Sequence, residues 1–235
     1  IYHNLIPNRF TGNIIDEPGK NARQSWDNAV FANNTMEITQ AFSLDYGLRV
    51  SAYTILGGDT YNIYDHGVLK DSVVLAAGDF GKTYFNLEPR VQFNLLLNPQ
   101  SSIKGGYARN TQHLHLLSNS TSSSPTDHWI GNSYNIKPEI ADQISLGYFR
   151  NFNNNKYQCS VEAYYKDMQN QIDYKNGADI TSAPDIESEL LYGKGRAYGV
   201  ELLVKKNSGK LTGWVGYTYS KTERLIEGIN DGDWY

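Results

Sequence analysis

The sequence predicts an all-β fold: an antiparallel transmembrane β-barrel of about eight strands, with short turns at one end and long loops at the other. Three observations predict it. Apolar and polar residues alternate at period two along run after run, with almost no helical period. Several runs pass ~10 residues, more than the ~5–6 usual in globular sheets and close to the ~9–11 of a membrane strand. The connections between runs alternate short and long in strict order.

The bulk composition narrows the class. The 235 residues carry a formal net charge of −4, too mild a balance to point to nucleic acid. Cys159 is the single cysteine, so no internal disulfide forms. No apolar run approaches ~18 residues, which excludes a membrane helix but not a barrel, whose strands hide apolar residues at every second position. Tyr (18) outnumbers Phe (8) and Trp (4), and tyrosine, with an apolar ring and a wet hydroxyl, suits an oil–water boundary.

The runs follow in order. A weaker one covers 26–36. In "SLDYGLRVSAYTIL", Leu44, Tyr46, Leu48, Val50 and Ala52 oppose Asp45, Gly47, Arg49 and Ser51. Leu87, Val91, Phe93, Leu95 and Leu97 then oppose Glu88, Arg90, Gln92 and Asn94, and Ile103 and Tyr107 oppose Lys104 and Gly106. Ile144, Leu146 and Tyr148 face away from Gln143, Ser145 and Gly147. Next, Tyr157, Cys159, Val161, Ala163 and Tyr165 oppose Gln158, Ser160, Glu162, Tyr164 and Lys166. Val200, Leu202 and Val204 oppose Glu201 and Lys205, and Leu211, Val215, Tyr217 and Tyr219 close the series.

Tight turns are expected at "NPQS", "NNNK" and "NSGK", whose residues tolerate turn dihedrals. Long polar connections are expected over 57–84, 118–137 and 176–194, with "SNSTSSSPTD" at the tip of an outer loop. Short periplasmic turns and long extracellular loops are the habit of outer-membrane barrels. A soluble carbohydrate-binding β-sandwich also alternates, but has no reason to keep that rhythm. A self-contained eight-stranded barrel acting as an anchor or adhesin has the same strand count.

Candidate sites are sparse. "GDFGKTY" echoes a phosphate loop, but Ala76 stands where the spacing needs glycine and no strand-to-helix step follows. His113 and His115 sit two apart and point the same way on a strand, without a Cys or acidic partner to complete a metal site. No metal, cofactor or catalytic triad is expected, and so no enzyme activity. Cys159 reads as a small hydrophobe on the lipid face. Strand-end aromatics Tyr148, Tyr157, Tyr165 and Tyr219 suit interfacial girdles, whereas Tyr61, Tyr64, His66, Tyr84, Trp129 and Tyr134 are candidates for ligand capture. The lumen-facing charges are Asp45, Arg49, Glu88, Arg90, Lys104, Glu162, Lys166, Glu201 and Lys205. They either line a ligand path or hold a plug, or form cross-strand ion pairs that stiffen a wet wall.

Several segments carry a resemblance: "NLEPRVQFNLLLN", "SSIKGGYARNTQHLHLLSNS", "DQISLGYFRNF", "VEAYYKDMQNQIDYKNGA", "GKGRAYGVELLVKK" and "GKLTGWVGYTYSKTER". They resemble the barrel of TonB-dependent outer-membrane receptors, in order over 26–235; "GRAYGVE" resembles a barrel-strand signature across such receptors, and "GYFRNF" and "YYKDMQNQIDY" look most like those of Bacteroidetes. The resemblance implies a Gram-negative outer membrane, a barrel of ~22 strands filled by an N-terminal plug, and import of a scarce ligand driven through TonB, ExbB and ExbD. It makes this chain a middle portion of such a barrel, with 1–25 an irregular extracellular loop or strand end and 26–235 the barrel segment. A sector of this kind leaves two sheet edges to be paired.

Overall fold

The computed structural model describes residues 2–5, 23–117, 128–179, 183 and 185–235. The stretch 118–127, expected at a loop tip, lies outside the described residues, as does most of 1–25. Thirteen strands follow along the chain. They are β1 (Tyr2–Leu5), β2 (Arg23–Thr39), β3 (Phe42–Leu56), β4 (Asp59–Asp65), β5 (Val68–Leu75), β6 (Phe80–Asn98) and β7 (Ser101–Gln112). After these come β8 (Leu114–Leu117), β9 (His128–Gly131), β10 (Glu139–Phe152), β11 (Tyr157–Tyr174), β12 (Leu190–Lys206) and β13 (Gly213–Ile226). Two short 3₁₀ turns, Ile186–Glu189 and Asn230–Gly232, precede β12 and follow β13.

Nine strands form one antiparallel sheet in the order β1-β2-β3-β6-β7-β10-β11-β12-β13. Eight of them are 12 to 19 residues long. At ~3.3 Å per residue these are longer than the ~30 Å of hydrocarbon requires, even when tilted. The sheet is open: β1 and β13 are its edges. β4–β5 and β8–β9 are separate two-stranded hairpins within long connections.

The alternation of joins is as the sequence predicts, with adjustments. β2–β3, β6–β7, β10–β11 and β12–β13 are joined tightly at one end, and the long connections lie at the other. In the "NNNK" turn Asn153, Asn154 and Asn155 all take positive φ (52°, 52° and 64°), a region asparagine tolerates better than most residues. The weak run 26–36 is the middle of a 17-residue strand, β2. The supposed loop 57–84 holds the β4–β5 hairpin and ends early, because β6 begins at Phe80, so Tyr84 is a wall residue. The loop 176–194 likewise ends where β12 begins at Leu190.

Register fixes which side chains share a face. Leu202, Val161, Tyr148, Ile103, Leu95 and Phe42 form one row across six strands. This face carries the exposed large hydrophobics Val200, Leu202, Val204, Val161, Leu146 and Ile144. Cys159, paired with Val204 and Arg150, lies on it too. The apolar stretch is centred on Leu202 in β12 but on Leu48 in β3, six residues above Phe42 of the Leu202 row. That climb of ~20 Å across five strand steps of ~4.8 Å is a slope of roughly 40°, the tilt of strands in a membrane barrel. The band is level only if the strands lean.

In the nine-stranded sheet, register shifts between Glu37 and Thr39, Thr54 and Leu56, and Leu96 and Asn98 lie near strand ends, and a fourth reorients a core residue. At Asn170 (φ 56°) the β11–β12 register slips between Gln169 and Gln171, and the Asn170 side-chain amide donates to the Pro138 carbonyl at 2.7 Å. This bulge puts Ile172 on the same face as Tyr192 and lets it pack with Leu117, Ile130, Ile136 and Leu190.

The two faces should respond differently to charge. Leu146→Lys in the apolar band is expected to cost about 2–4 kcal/mol, whereas Ser145→Lys on the opposite face costs under about 1 kcal/mol. Urea midpoints of the intact protein refolded in lipid measure both.

Candidate functional site

The three long connections converge at one end of the sheet around two cores. Tyr53 and Ile55 of β3 and Tyr61 of β4 are buried together, with Leu75, Tyr84 and Tyr134 packed against them. Leu117, Ile130, Ile136, Ile172 and Leu190 form the second cluster, which draws on β8, β9, β11 and β12.

A polar hub joins these connections. The Glu187 carboxylate, only 1 % exposed, pairs with the Arg23 guanidinium and accepts from the Ser133 hydroxyl (2.6 Å) and the Asn135 amide (2.5 Å). Arg23 also lies 3.7 Å from both Asp59 and Asp185, and its guanidinium sits over the Tyr61 ring at 5.5 Å. One cation thus ties the start of β2 to the β3–β6 and β11–β12 connections, and Glu187 carries the link on to the β7–β10 connection. Asn135 adds backbone-like bonds to β4, accepting from the Tyr64 amide (2.9 Å) and donating to the Asn62 carbonyl (2.8 Å). The last connection is pinned by Lys175 Nζ, 2.8 Å from Glu189, which holds the Glu189 carboxyl below its ordinary range.

The six loop candidates divide. Tyr61, Tyr64, Tyr84 and Tyr134 come together, but as parts of this scaffold. The Tyr61 hydroxyl donates to the Leu56 carbonyl (2.9 Å), and burial pushes it up to about 12. Tyr64 donates to Asp185 (3.2 Å), Tyr84 donates to the Ser133 carbonyl (2.7 Å), and Tyr134 packs on Tyr61 with ring centroids 5.7 Å apart. His66, at the tip of the β4–β5 hairpin beside Asp65, and Trp129 on β9 stand exposed and apart from that group.

The nine charged candidates share the face opposite the apolar band. Lys104, Gly147, Glu162 and Glu201 fall in one row, and Arg90, Ala108, Gln143 and Lys166 in another. Among the described residues, Arg49–Glu88 at 3.5 Å is the ion pair within the set, so a general lattice of cross-strand pairs does not form. Asp45 accepts instead from the Thr35 hydroxyl at 2.5 Å. Glycine and serine neighbours keep the wall low, and Asp45, Gln92, Lys104, Gln143, Ser145 and Glu162 line an open trough of about 500 Å³.

Two features escape the alternation argument. Above the apolar band on its own face runs a charged row, Glu223–Arg196–Asp167–Asp142–Arg109 by register. Arg109 grips Asp142 with two bonds of 2.8 Å, Tyr107 donates to the same carboxylate at 2.6 Å, and Arg196 holds Glu223 at 2.9 Å. The stacked Tyr165 and Tyr198 rings lie one row below, where a water–lipid boundary belongs. His113 and His115 are both buried, bonded to Asn132 rather than placed at an aromatic rim. Among the described residues, no cluster of three or more His, Cys, Asp or Glu side chains is arranged to hold a metal ion.

Arg23→Met strands the buried Glu187 carboxylate and is expected to cost the loop assembly about 3–5 kcal/mol. Hydrogen exchange should quicken in 128–136 and 185–189 while the strands of the wall keep their protection. The double variant R23M/E187Q should recover part of that loss.

The sequence matches the family model described as TonB dependent receptor-like, beta-barrel, over residues 2–235. None of the curated proteins matches it. Among solved structures, the FrpB iron transporter from Neisseria meningitidis (F3-3 variant) aligns with a TM-score of 0.60 at 15 % identity, over 92 % of this chain and 28 % of its own. The siderophore receptor PiuA from Acinetobacter baumannii aligns with a TM-score of 0.55 at 19 % identity, over 91 % of this chain and 28 % of its own. These likenesses are of fold, and the chain spans little more than a quarter of the length of either structure. The chain belongs to the TonB-dependent receptor-like β-barrel family and is an outer-membrane protein.

Proposed function

We propose that this chain forms part of the barrel wall and extracellular mouth of a TonB-dependent receptor that imports a scarce ligand. The observation that carries the reading is the family match over 2–235 on a sheet with one apolar, tilted face and one polar face. The polar face is the lumen, and its nine charged residues line the surface on which a plug domain seats. TonB, ExbB and ExbD act through that plug, so no residue here touches the motor. The chain's part in the receptor is structural and ligand-facing, not enzymatic. The likeness of "GYFRNF" and "YYKDMQNQIDY" to receptors of Bacteroidetes supports a receptor of that type. The barrel segment of 26–235 is extended at its start by Arg23–Ser25 of β2 and by the edge strand β1.

The long connections are the extracellular side, and Trp129 and His66 are their exposed capture residues. Tyr61, Tyr64, Tyr84 and Tyr134 serve the same site by holding its shape. Iron and siderophores, named for the two structural neighbours, are the ligand class to test first.

The test is uptake of radiolabelled ferric siderophore by cells that depend on the intact receptor. Accumulation should stop when a protonophore collapses the proton gradient, and Trp129→Ala should lower uptake severalfold at limiting ligand while leaving barrel assembly unchanged. Accumulation that persists without the gradient would remove the TonB-coupled reading. A native polypeptide near 26.5 kDa that alone forms a heat-modifiable barrel would do the same.

A further inference from the structure

We propose that His113, Asn132 and His115 form a proton-operated latch that holds the β8–β9 hairpin on the barrel wall and releases it when a second proton enters. The proposal goes beyond transport and stands on the geometry of this cluster. Asn132 is 5 % exposed and sits between the two imidazoles, with Nδ2 2.8 Å from His113 Nδ1 and Oδ1 2.9 Å from His115 Nε2. The Asn132 amide also donates to the His113 carbonyl at 3.0 Å, so the same residue fixes backbone and side chains. The His113 ring in turn stacks on Tyr53 of β3, with centroids 5.1 Å apart. These contacts join the hairpin to a strand of the wall.

An amide offers one acceptor and one donor, and that asymmetry sets the proton count. With Nδ2 toward His113, that ring accepts at Nδ1 and carries its proton on Nε2, while His115 donates from Nε2. The opposite amide orientation reverses both roles, and either one satisfies the two ring nitrogens that face Asn132, while His113 Nε2 and His115 Nδ1 make no hydrogen bond. One added proton is accommodated. His115 Nδ1 lies 3.7 Å from the Glu139 carboxylate and is otherwise without a partner, so a proton placed there meets a carboxylate. A second proton has no such place. Both rings are then donors toward a group with a single oxygen, so one N–H must face the NH₂ of Asn132.

The surroundings of His113 decide where the second proton stands. Asp27 of β2 and Glu88 of β6 attract it, Arg49 of β3 and a protonated His115 repel it, and Tyr53 covers the ring. Burial outweighs the carboxylates and pushes the His113 imidazole below its ordinary value. The sign follows. The unfolded or released hairpin binds this proton more readily than the latched one, so the latch is intact above the ordinary imidazole range near ~6.5 and weakens as pH falls through it. The polar cavity of about 260 Å³ lined by His113, Thr111, Arg49, Glu88 and Asp27 gives the ring a path to water.

Release would loosen more than one hairpin. Ile130 leaves the second core cluster, and Ser133 and Asn135, which come shortly after it, donate to Glu187 alongside Arg23. The latch and the hub are consecutive fastenings of one connection.

Hydrogen exchange by mass spectrometry on the intact protein in outer membranes tests this, with rates normalised for the intrinsic effect of pH. Protection of 128–136 should fall about tenfold between pH 7.5 and 5.5, while the β4–β5 hairpin, 59–75, holds its protection. His113→Asn keeps an acceptor near the Nδ1 position and cannot titrate, so its 128–136 segment should show no pH dependence. Asn132→Asp gives both imidazolium rings an oxygen, and its protection should be equal or greater at pH 5.5. Wild-type protection that is the same at both pH values would overturn the latch. So would an Asn132→Asp protein that opens in acid as the wild type does, and this variant decides the matter if His113→Asn does not fold.

Discussion

Backbone amides and carbonyls cannot be left unpaired in hydrocarbon, and every other feature of this chain is arranged around that constraint. Eight long strands meet it by forming one continuous ladder, each paired on both sides except at the sheet's edges. Once the ladder exists, alternate side chains must face opposite solvents, so the period-two pattern is a consequence of the pairing. Gly105 shows how closely the faces are then packed. A Cβ there would come within 2.7 Å of the Phe93 ring, which lies across the gap from the neighbouring strand.

The tilt follows from the same ladder. Register rows run perpendicular to the strands, but the lipid boundary does not. The apolar band therefore drifts along the strands from Leu202 to Leu48, and the charged row from Glu223 to Arg109 appears above it only on the β7–β13 side. On β3 the continuation of that row is Leu48, still inside the band. The paired charges facing outward are thus compatible with a membrane face, because they lie beyond it. On the inner face, among the described residues, Arg49 pairs with Glu88, while Asp45 bonds to Thr35 and Lys104 sits over the Phe149 ring.

At the loop end the problem reverses, since long polar connections have little apolar surface with which to hold themselves. The chain compensates with tyrosines whose rings pack and whose hydroxyls reach backbone carbonyls, and with one buried carboxylate on the β11–β12 connection that gathers donors from the start of β2 and from the β7–β10 connection. Glu187 is useful because it is nearly inaccessible. In that setting each bond it accepts is strong, and losing Arg23 would leave a charge without compensation. The His113–Asn132–His115 relay is a second polar fastening of the same kind, built on imidazoles and an amide in place of a carboxylate.

Much of the wall was legible in the sequence because its signals are local. Period-two alternation in "SLDYGLRVSAYTIL", asparagines in "NNNK" and the order of short and long joins each depend on neighbours a few residues apart, and they determined the strands and the faces, while the family rested on the likeness of whole segments such as "GKGRAYGVE". The loop candidates were less legible. Tyr61 and Tyr84 look the same in sequence whether they wait for a ligand or support a core, and what separates them from Trp129 is burial alone. Arg23 meets Glu187 across 164 residues, and Asn132 reaches His115 across 17. A single φ of 56° at Asn170 changes which face Ile172 presents. The sequence by itself determined that this is a two-faced membrane sheet, since each strand carries that information within itself. Only the tertiary structure decided how the mouth is fastened, because a buried charge or imidazole takes its role from partners that the fold, and not the chain order, brings to it.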